Sequence, residues 1–430
     1  MGSTGPALMR ALNDVADAAA GLVTDVRQHG FGVIIDRIRN FDPSEMDMPT
    51  VNLSLILLLT VILGFTVIIV LAQVTPDPPT PGIHRENRAL GESSAPLIKE
   101  GAPPIPPKTE IVSLRVYPIK SCRGFEVEHT RIRKAGLTLD RNWMFVSKKD
   151  MNFMTIRTDS SMTLIDTTIT EGTEKYQGQQ MLKISIHGTE NSVEVPAFPS
   201  PEWLKEKTKL EEVEIWEEKT DGYVYGEEVN KIFTDYFKKD VALVYKGPQA
   251  RMINVNGKKD LYGKDVPHHF ADVMSLQIAS EASIKDLNRR LKEKDPKSDE
   301  LTIERFRPNI IVKGRDDHPW EEDTWKRVRI LTTIPSEEAL YKIDLDVVAR
   351  CARCQVPNVN PNTAEKHVKE PWEELMKFRR VDKGSVAKYK PCFGMLCVPK
   401  NDGRIVVGAR LEVLETTDKH LYNTARFDEL

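Results

Sequence analysis

Residues 111–119 read IVSLRVYPI, and this stretch sets the fold class for most of the chain that follows it. β-Branched and aromatic side chains dominate the stretch, which is typical of a β-strand. Similar segments recur, separated by turn residues: 142–149 (NWMFVSKK), 181–188 (MLKISIHG), 192–198 (SVEVPAF), 309–314 (NIIVKG), 327–334 (RVRILTTI) and 405–415 (IVVGARLEVLE). The sequence therefore predicts a series of short strands.

Two predicted helices interrupt these strands. One covers residues 226–239, and the other covers residues 280–294, where Ser280 is placed to cap the helix and Ile284, Leu287 and Leu291 share one face. Helices and strands do not alternate regularly, so a doubly wound parallel sheet is not indicated. The predicted fold class is α+β, mainly antiparallel β, with sheets closed into barrels.

The most hydrophobic part of the sequence is LSLILLLTVILGFTVIIVLA, at 53–72, inside a charge-free window from Met48 to Pro76. A helix needs about 20 apolar residues to cross the hydrocarbon core of a bilayer. We therefore predict one transmembrane helix at 51–74, so that the protein is a single-pass membrane protein. Its orientation is not set, because Arg37 and Arg39 on one side nearly balance Arg85 and Arg88 on the other.

Composition changes along the chain predict six segments. Residues 1–50 form an N-terminal segment with apolar side chains at the spacing of an amphipathic helix, and the transmembrane helix follows at 51–74. A proline-rich linker covers residues 75–109, because a segment so rich in proline is extended and builds no core. Strand-rich sequence, long enough for two folded domains, follows from residue 110, and a C-terminal tail, 417–430, completes the prediction.

The charge and cysteine content exclude some classes of protein. The formal net charge of the 430 residues is −3, which gives no indication of nucleic-acid binding. Five cysteines, an odd and small number, argue against a disulfide-stabilised secreted protein and favour a reducing compartment. The C-terminal residues 427–430 (FDEL) are similar to lumenal retention signals, whereas residues 110–430 lack any Asn-x-Ser/Thr acceptor, which suits the cytosol.

Two of the cysteines lie three positions apart, in Cys351-Ala352-Arg353-Cys354. This spacing allows four interpretations: buried inert thiols, half of a zinc site, a redox dithiol, or one thiolate ligand to a soft metal. The prolines and asparagines that follow indicate a loop, which disfavours a dithiol at the start of a helix. There is no GxGxxG, HExxH or CxxCH motif, so the sequence itself supplies no nicotinamide, zinc-protease or covalent haem site.

The order of seven segments resembles that of the MOSC proteins, in particular their amidoxime-reducing branch. The segments are 116–124 (VYPIKSCRG), 135–146 (AGLTLDRNWMFV), 270–288 (FADVMSLQIASEASIKDLN), 304–312 (ERFRPNIIV), 319–328 (PWEEDTWKRV), 351–363 (CARCQVPNVNPNT) and 391–399 (PCFGMLCVP). The resemblance covers about residues 110–415. It implies a MOSC N-terminal β-barrel-like domain at 110–245 and a MOSC domain at 246–416.

The resemblance also implies a cofactor and its ligands. Family members bind molybdenum cofactor (Mo-molybdopterin), and the matching metal ligand and catalytic residue is Cys354, with Cys351 as its neighbour. The positions that match cofactor-binding residues are Lys120, Ser121, Arg141, Arg307, Asn309 and Asn358, with Thr155 and Arg157 as weaker matches. Pyridoxal phosphate binding is associated with such domains only at the level of the family. Two departures from the family pattern are Ala409, where an aspartate is usual, and Ser275, near a missing proline.

The function that the resemblance implies is reduction of small N-hydroxylated compounds, such as amidoximes and hydroxylamines. No flavin, nicotinamide or haem motif is present, so the electrons are expected from a cytochrome b5-type protein and its NADH-dependent reductase. The alternatives are a sulfur-carrying module with a persulfide on a cysteine, and a non-catalytic protein that binds molybdenum cofactor. The resemblance favours the mitochondrial outer membrane with the domains facing the cytosol, and the endoplasmic reticulum is the alternative.

The transmembrane prediction can be checked by cell fractionation. We expect the full chain to stay in the membrane pellet after carbonate extraction, because an inserted helix resists extraction at high pH whereas a peripheral protein does not. A variant that lacks residues 1–74 should appear in the supernatant. A full chain that carbonate extracts as readily as this deletion variant would contradict the predicted anchor.

Overall fold

The strand predicted at IVSLRVYPI closes a β-barrel. In the computed structural model, which describes residues 97–171, 178–334 and 339–430, it forms β1 (Thr109–Val116). The other strands are β2 (Phe125–Val127), β3 (His129–Arg133), β4 (Gly136–Leu137), β5 (Trp143–Ser147), β6 (Ile165–Thr170), β7 (Met181–Ile186), β8 (Ser192–Pro196), β9 (Thr208–Ile215), β10 (Glu218–Tyr225), β11 (Val241–Lys246), β12 (Arg251–Met252), β13 (Pro267–His268), β14 (Leu276–Ser280), β15 (Ile310–Val312), β16 (Trp325–Ile334), β17 (Ala339–Ala352), β18 (Cys392–Pro399), β19 (Gly403–Val406) and β20 (Arg410–Thr416).

Five α-helices are found among the described residues. They are α1 (Pro201–Lys207), α2 (Glu227–Phe237), α3 (Lys259–Tyr262), α4 (Glu281–Lys294) and α5 (Trp372–Phe378). The two predicted helices correspond to α2 and α4. Ser280 caps α4 as expected, because its hydroxyl accepts a hydrogen bond from the backbone nitrogen of Ser283 at 3.1 Å.

Seven strands form the closed barrel, in the order β15-β14-β18-β17-β16-β20-β1, and the pairing of β1 with β15 closes it. All neighbours in the barrel are antiparallel except β14 and β15, which are parallel and are connected through α4. The barrel core is built from buried aliphatic side chains such as Ile111, Ile330 and Val347. The prediction of a mainly antiparallel α+β fold with a closed barrel is therefore confirmed for this part of the chain.

A second layer of structure lies between β4 and β12 in the sequence. It contains a four-stranded antiparallel sheet, β5-β11-β10-β9, and a three-stranded sheet, β6-β7-β8. Helix α2 contributes Phe233 and Phe237 to their common core, where both rings pack edge-on against Phe145. The predicted boundary between residues 245 and 246 stays a prediction. We note that β1, from the first predicted domain, is a barrel strand together with β14–β18 and β20.

One strand prediction needs correction. Residues 405–415 were expected to form a single strand, but the chain turns at Gly408, whose φ is +84°. β19 consequently pairs with β3 in a separate sheet, whereas β20 joins the barrel between β16 and β1. A positive φ is easily adopted by glycine and costly for most other residues, which explains why the strand ends at this residue although the apolar pattern continues.

The predicted membrane segment lies outside the described residues, as do the N-terminal segment 1–50 and most of the linker. The described residues all belong to one compact unit within Asp77–Leu430. In residues 97–171, 178–334 and 339–430, no helix is both long and apolar enough to cross a membrane.

The barrel core should determine the stability of this unit. We expect Ile330→Ala, in the middle of β16, to lower the free energy of unfolding by about 2–5 kcal/mol, because it removes a fully buried side chain and leaves a cavity. Leu340→Ala, in β17 but with its side chain 49% exposed, is the matched control and should cost less than about 1 kcal/mol. Denaturant unfolding measures both values, and equal losses would contradict the assignment of the core.

Candidate active site

A cavity of about 220 Å³ lies where the loops that follow β1 and β17 meet the loops that precede β14 and β15. The structure brings six of the seven predicted site residues together in its lining: Lys120, Ser121, Arg141, Arg307, Asn309 and Cys354. The two weaker predictions, Thr155 and Arg157, line it as well. Segments distant in sequence thus converge on one cavity.

Cys354 follows the last strand residue of β17 by two positions and is only partly exposed. Burial of the thiol opposes its ionisation, but the charges of Arg157 and Arg353 outweigh burial and lower the pKa of Cys354 below its ordinary value. A hydrogen bond with the backbone at Val356 acts in the same direction. Cys354 is therefore suited to be a thiolate, the form that binds metals and acts as a nucleophile.

Arg353 anchors the loop that carries Cys354 to neighbouring segments of the chain. Its side chain is buried and donates hydrogen bonds to the side-chain oxygen of Gln277 at 3.2 Å and to the carbonyl of Phe306 at 3.0 Å. The same guanidinium donates to the sulfur of Cys351 at 3.0 Å. Both Cys351 and Cys354 are free thiols that line the cavity.

Asp272 forms ion pairs with the positively charged side chains at one side of the cavity. Lys120 Nζ contacts Asp272 Oδ1 and donates to the carbonyl of Phe270 at 3.1 Å, while Arg157 donates to Asp272 Oδ2 at 3.2 Å. Burial lowers the pKa of Lys120 to about 8, although Asp272 opposes this change. Partial enclosure would raise the pKa of Asp272, but Lys120 and Arg157 together hold it well below its ordinary value.

Trp216 covers this group of charges from the turn between β9 and β10. Its indole nitrogen donates to Asp272 Oδ1 at 3.1 Å, and its ring lies 4.5 Å from the guanidinium carbon of Arg157. The ring also packs against Phe153, with 4.6 Å between centroids. Trp216 therefore fixes the positions of Asp272 and Arg157, both of which line the cavity.

Two arginines sandwich the ring of Tyr117 on another side of the cavity. The guanidinium carbons of Arg141 and Arg307 lie 4.5 Å and 4.3 Å from the ring centroid. Burial, and then the charge of Arg141, lower the pKa of Arg307. Within the described residues, Arg307 Nη2 and Tyr117 Oη are buried without a hydrogen-bond partner, which leaves donor capacity unused in a residue that lines the cavity.

Three residues of the cavity lining have strained backbones. Ser121, Arg141 and Arg307 all have left-handed backbones, with φ of 69°, 51° and 57°. Residues other than glycine rarely adopt this conformation, and where they do the surroundings must hold them in it. The surrounding structure therefore holds three lining residues of the cavity in conformations that they would not adopt by themselves.

Asn309 has a structural part to play in this lining. Its side-chain oxygen accepts a hydrogen bond from the backbone nitrogen of Gln277 at 3.2 Å, and its amide donates to Arg115 O at 3.2 Å and to Asp140 Oδ1 at 3.0 Å. These bonds connect β1, β14 and β15 at the edge of the cavity. Asn309 therefore positions the neighbouring Arg307 and Arg141.

Asn358, the seventh predicted residue, is not among the lining residues. It is fully buried, its amide donates to His367 O at 3.0 Å, and its oxygen accepts from the backbone nitrogen of Trp372 at 3.0 Å. Asn358 thus secures the start of α5. The two departures from the family pattern, Ala409 and Ser275, are buried and also lie outside the lining.

The remaining cysteines are placed in separate parts of the core. Cys122 belongs to the core around β5–β8, and Cys397 belongs to the barrel core. Burial raises the pKa of both thiols, and it raises the pKa of Cys392 to about 12. Among the described residues, no three histidine, cysteine, aspartate or glutamate side chains converge as metal ligands, so the zinc interpretation of the cysteine pair finds no partner ligands there.

Sequence reasoning missed several residues of the site. Arg353 was present in the quoted motif, but only the cysteines on either side were considered. Asp272 lay in the quoted segment 270–288 but was not singled out, and Trp216 gave no signal, because a turn tryptophan has no characteristic spacing. Their involvement depends on the β9–β10 turn approaching the loop before β14.

Comparisons with known proteins agree with the geometry. Residues 108–240 match the MOSC N-terminal beta barrel domain, and residues 265–412 match the MOSC domain. Together these matches span well over half of the chain and contain most of the lining residues of the cavity.

Several curated proteins are similar to the chain over most of its length. The mitochondrial amidoxime reducing component 2 of Rattus norvegicus is 29% identical over 303 residues, which cover 68% of this chain and 80% of the relative. The mitochondrial amidoxime-reducing component 1 of Homo sapiens is 28% identical over 305 residues, covering 69% and 81%. The component 2 of Bos taurus is 28% identical over 308 residues, with the same coverage.

The electrostatics of Cys354 can be tested by alkylation in metal-free Cys351→Ser protein. The rate with iodoacetamide follows the thiolate fraction, so its midpoint should lie below the ordinary pH for a cysteine. Arg157→Gln removes a stabilising charge and should move the midpoint upward. Arg133→Gln, on the exposed surface of β3, is the matched control and should leave it unchanged. Equal midpoints in all variants would contradict the role of Arg157.

Proposed function

Because the chain belongs to the family of proteins with MOSC domains, we propose that it is an oxidoreductase that uses molybdenum cofactor to reduce N-hydroxylated compounds. The names of its relatives support the substrate class, since they are called amidoxime reducing components. The observation that carries the proposal is the thiol of Cys354, which lines a cationic cavity and has a lowered pKa.

The residues of the cavity fit the chemistry of this cofactor. A soft, redox-active metal favours a thiolate ligand, and Cys354 offers one. The pterin part carries a phosphate, and Lys120, Arg141 and Arg307 provide cations that line the cavity. The unpartnered Nη2 of Arg307 is a donor that an anionic ligand would satisfy.

In the proposed mechanism, Cys354 holds the metal, and Lys120, Ser121, Arg141 and Arg307 hold the pterin and its phosphate. The chemistry that the cofactor supplies when bound is oxygen-atom transfer coupled to a two-electron reduction. Asp272 keeps Lys120 and Arg157 oriented, and the charge of Arg157 favours the ionised form of Cys354. Arg353 fixes the loop that carries Cys354, so that the thiolate needs no reorganisation when it binds.

The overall reaction needs electrons from another protein. An amidoxime, two electrons and two protons give an amidine and water, and the sequence holds no flavin, nicotinamide or haem motif. We therefore include a cytochrome b5-type donor and its NADH-dependent reductase in the proposal. Anchoring through residues 53–72 would confine all partners to one membrane surface and raise their effective concentration. The mitochondrial relatives favour the mitochondrial outer membrane as that surface.

A second candidate function rests on the same thiolate. A persulfide on Cys354 would also be stabilised by Arg157 and Arg353, so a sulfur-carrying module is the alternative. A third candidate is a protein that binds molybdenum cofactor without turnover. Both alternatives use the same cavity. A sulfur-carrying module would release sulfur from it and a binding protein would release the cofactor, whereas the reductase would release a reduced compound.

The proposal is tested by metal analysis of the full-length chain, produced in a host that makes molybdenum cofactor. We expect near-stoichiometric molybdenum in the wild type and in Cys351→Ser, which is the matched control. Cys354→Ser should lose the thiolate signature of the metal in X-ray absorption, and amidoxime reduction should fall to background, because a serine hydroxyl is a poor ligand for a soft metal.

Other results would each select a different function. Labile sulfane sulfur on Cys354 without molybdenum would indicate the sulfur-carrying module. Exchangeable cofactor without turnover, measured with a reduced viologen dye as electron donor, would indicate the binding protein. Loss of the thiolate signature in Cys351→Ser rather than Cys354→Ser would overturn the ligand assignment.

A further inference from the structure

Residues 380–390 form a positively charged surface beside the cavity, which we call the basic loop. Its exposed cations are Arg380, Lys383, Lys388 and Lys390. Its one acidic residue, Asp382, is buried and lies 3.7 Å from the guanidinium of Arg350 in β17. Val386 and Tyr389 are exposed between these cations, with 53% and 63% of their side-chain surfaces accessible.

The basic loop is held in one conformation from both ends. The backbone nitrogen of Cys392 donates to Arg379 O at 2.9 Å, and Arg379 Nε donates back to Cys392 O at 3.0 Å. Asp382 Oδ1 accepts hydrogen bonds from the backbone nitrogens of Gly384 at 2.7 Å and Tyr422 at 3.0 Å. Such a surface is preorganised, so a partner that binds it pays little ordering entropy.

The end of the basic loop reaches the cavity itself. Lys390 is a lining residue, and the carbonyl of the next residue, Pro391, accepts a hydrogen bond from the backbone nitrogen of Arg353 at 2.8 Å. Arg353 directly precedes Cys354 in the chain. A protein bound to the loop would therefore lie at the cavity, a few residues from the site thiolate.

We propose that the basic loop is the docking surface for an acidic electron-carrier protein. This inference rests on the proposed function, because a reductase without its own electron-transfer group needs a reduced partner at its cavity. Each carrier that gives one electron docks and leaves oxidised, so two docking events and two protons from water complete one reduction of an amidoxime to an amidine and water. Transient binding by charge complementarity suits such repeated encounters.

The composition of the loop favours a protein over an anionic membrane as the partner. Membrane-surface elements present a continuous apolar face, whereas this loop contains one short 3-10 segment, Ser385–Tyr389. Its exposed side chains Val381, Val386 and Tyr389 are separated in sequence by lysines. Tyrosine and arginine are enriched in protein interfaces. Exposed Tyr389 beside Lys388, whose Nζ lies 4.9 Å from the ring centroid, fits that pattern.

The test uses the full-length protein with a Lys383→Glu/Lys388→Glu variant. Neither lysine lines the cavity. The probe is a soluble acidic cytochrome b5-type haem domain, whose binding is followed by its haem absorbance at low and at high salt. We expect the Kd of the variant to be at least about tenfold weaker at low salt and the difference to shrink at high salt, because screening removes charge attraction. Lys205→Glu/Lys209→Glu, an equal charge change on exposed lysines of α1 and β9, is the control.

Turnover separates this inference from the proposed function. With a reduced viologen dye, the variant should reduce amidoximes as fast as the wild type, while with the haem domain its kcat/KM should fall at least about tenfold. A wild type that binds the haem domain through the loop but never turns over would refute the proposed function alone. Three results would overturn the proposed docking surface. The first is unchanged binding of the haem domain in the variant, and the second is an equal loss of binding in the control. The third is loop-dependent binding to anionic phosphatidylserine vesicles in place of the haem domain.

Discussion

The pairing of β1 with β15 is the constraint on which the rest of the structure depends. Leu114 lies opposite Ile310 in this antiparallel pair, and Arg115 N extends the ladder with a hydrogen bond to Asn309 O at 2.9 Å. This pairing closes the barrel, which leaves no free edge at that position. It also brings the residues that follow β1, Lys120 and Ser121, to those that precede β15. The pairing that closes the barrel therefore also assembles the cavity.

The electrostatics of the cavity follow from this assembly. It gathers the ammonium groups of Lys120 and Lys390 and several guanidinium groups, of which Asp272 and Asp140 neutralise only a part. Such a concentration of buried positive charge is costly unless something compensates for it. Ionisation of Cys354, which these charges favour, would compensate in part, and an anionic ligand would complete the balance. The strained backbones of Ser121, Arg141 and Arg307 are a further cost that the barrel supports.

Much of the fold could be predicted because strand and helix patterns are local. The alternation around β1 and the cap at Ser280 depend on neighbours within a few residues, and the structure has both. The break at Gly408 was not predicted, since the apolar pattern continues across it while the backbone turns. In the site, Lys120, Arg141, Arg307 and Cys354 were predicted through quoted motifs. Asn358 belonged to such a motif too, yet its bonds go to the start of α5.

The sequence by itself determined the strand-rich character, the apolar segment at 53–72 and the motifs with cations and cysteines. These depend on side-chain chemistry and short-range periodicity, which a linear chain displays directly. Only the tertiary structure decided which cysteine has the lowered pKa, that Trp216 covers Asp272, and that the basic loop adjoins the cavity. The reason is physical: Coulomb interactions and burial depend on distances between segments that lie far apart in sequence, and those distances exist only after the barrel closes.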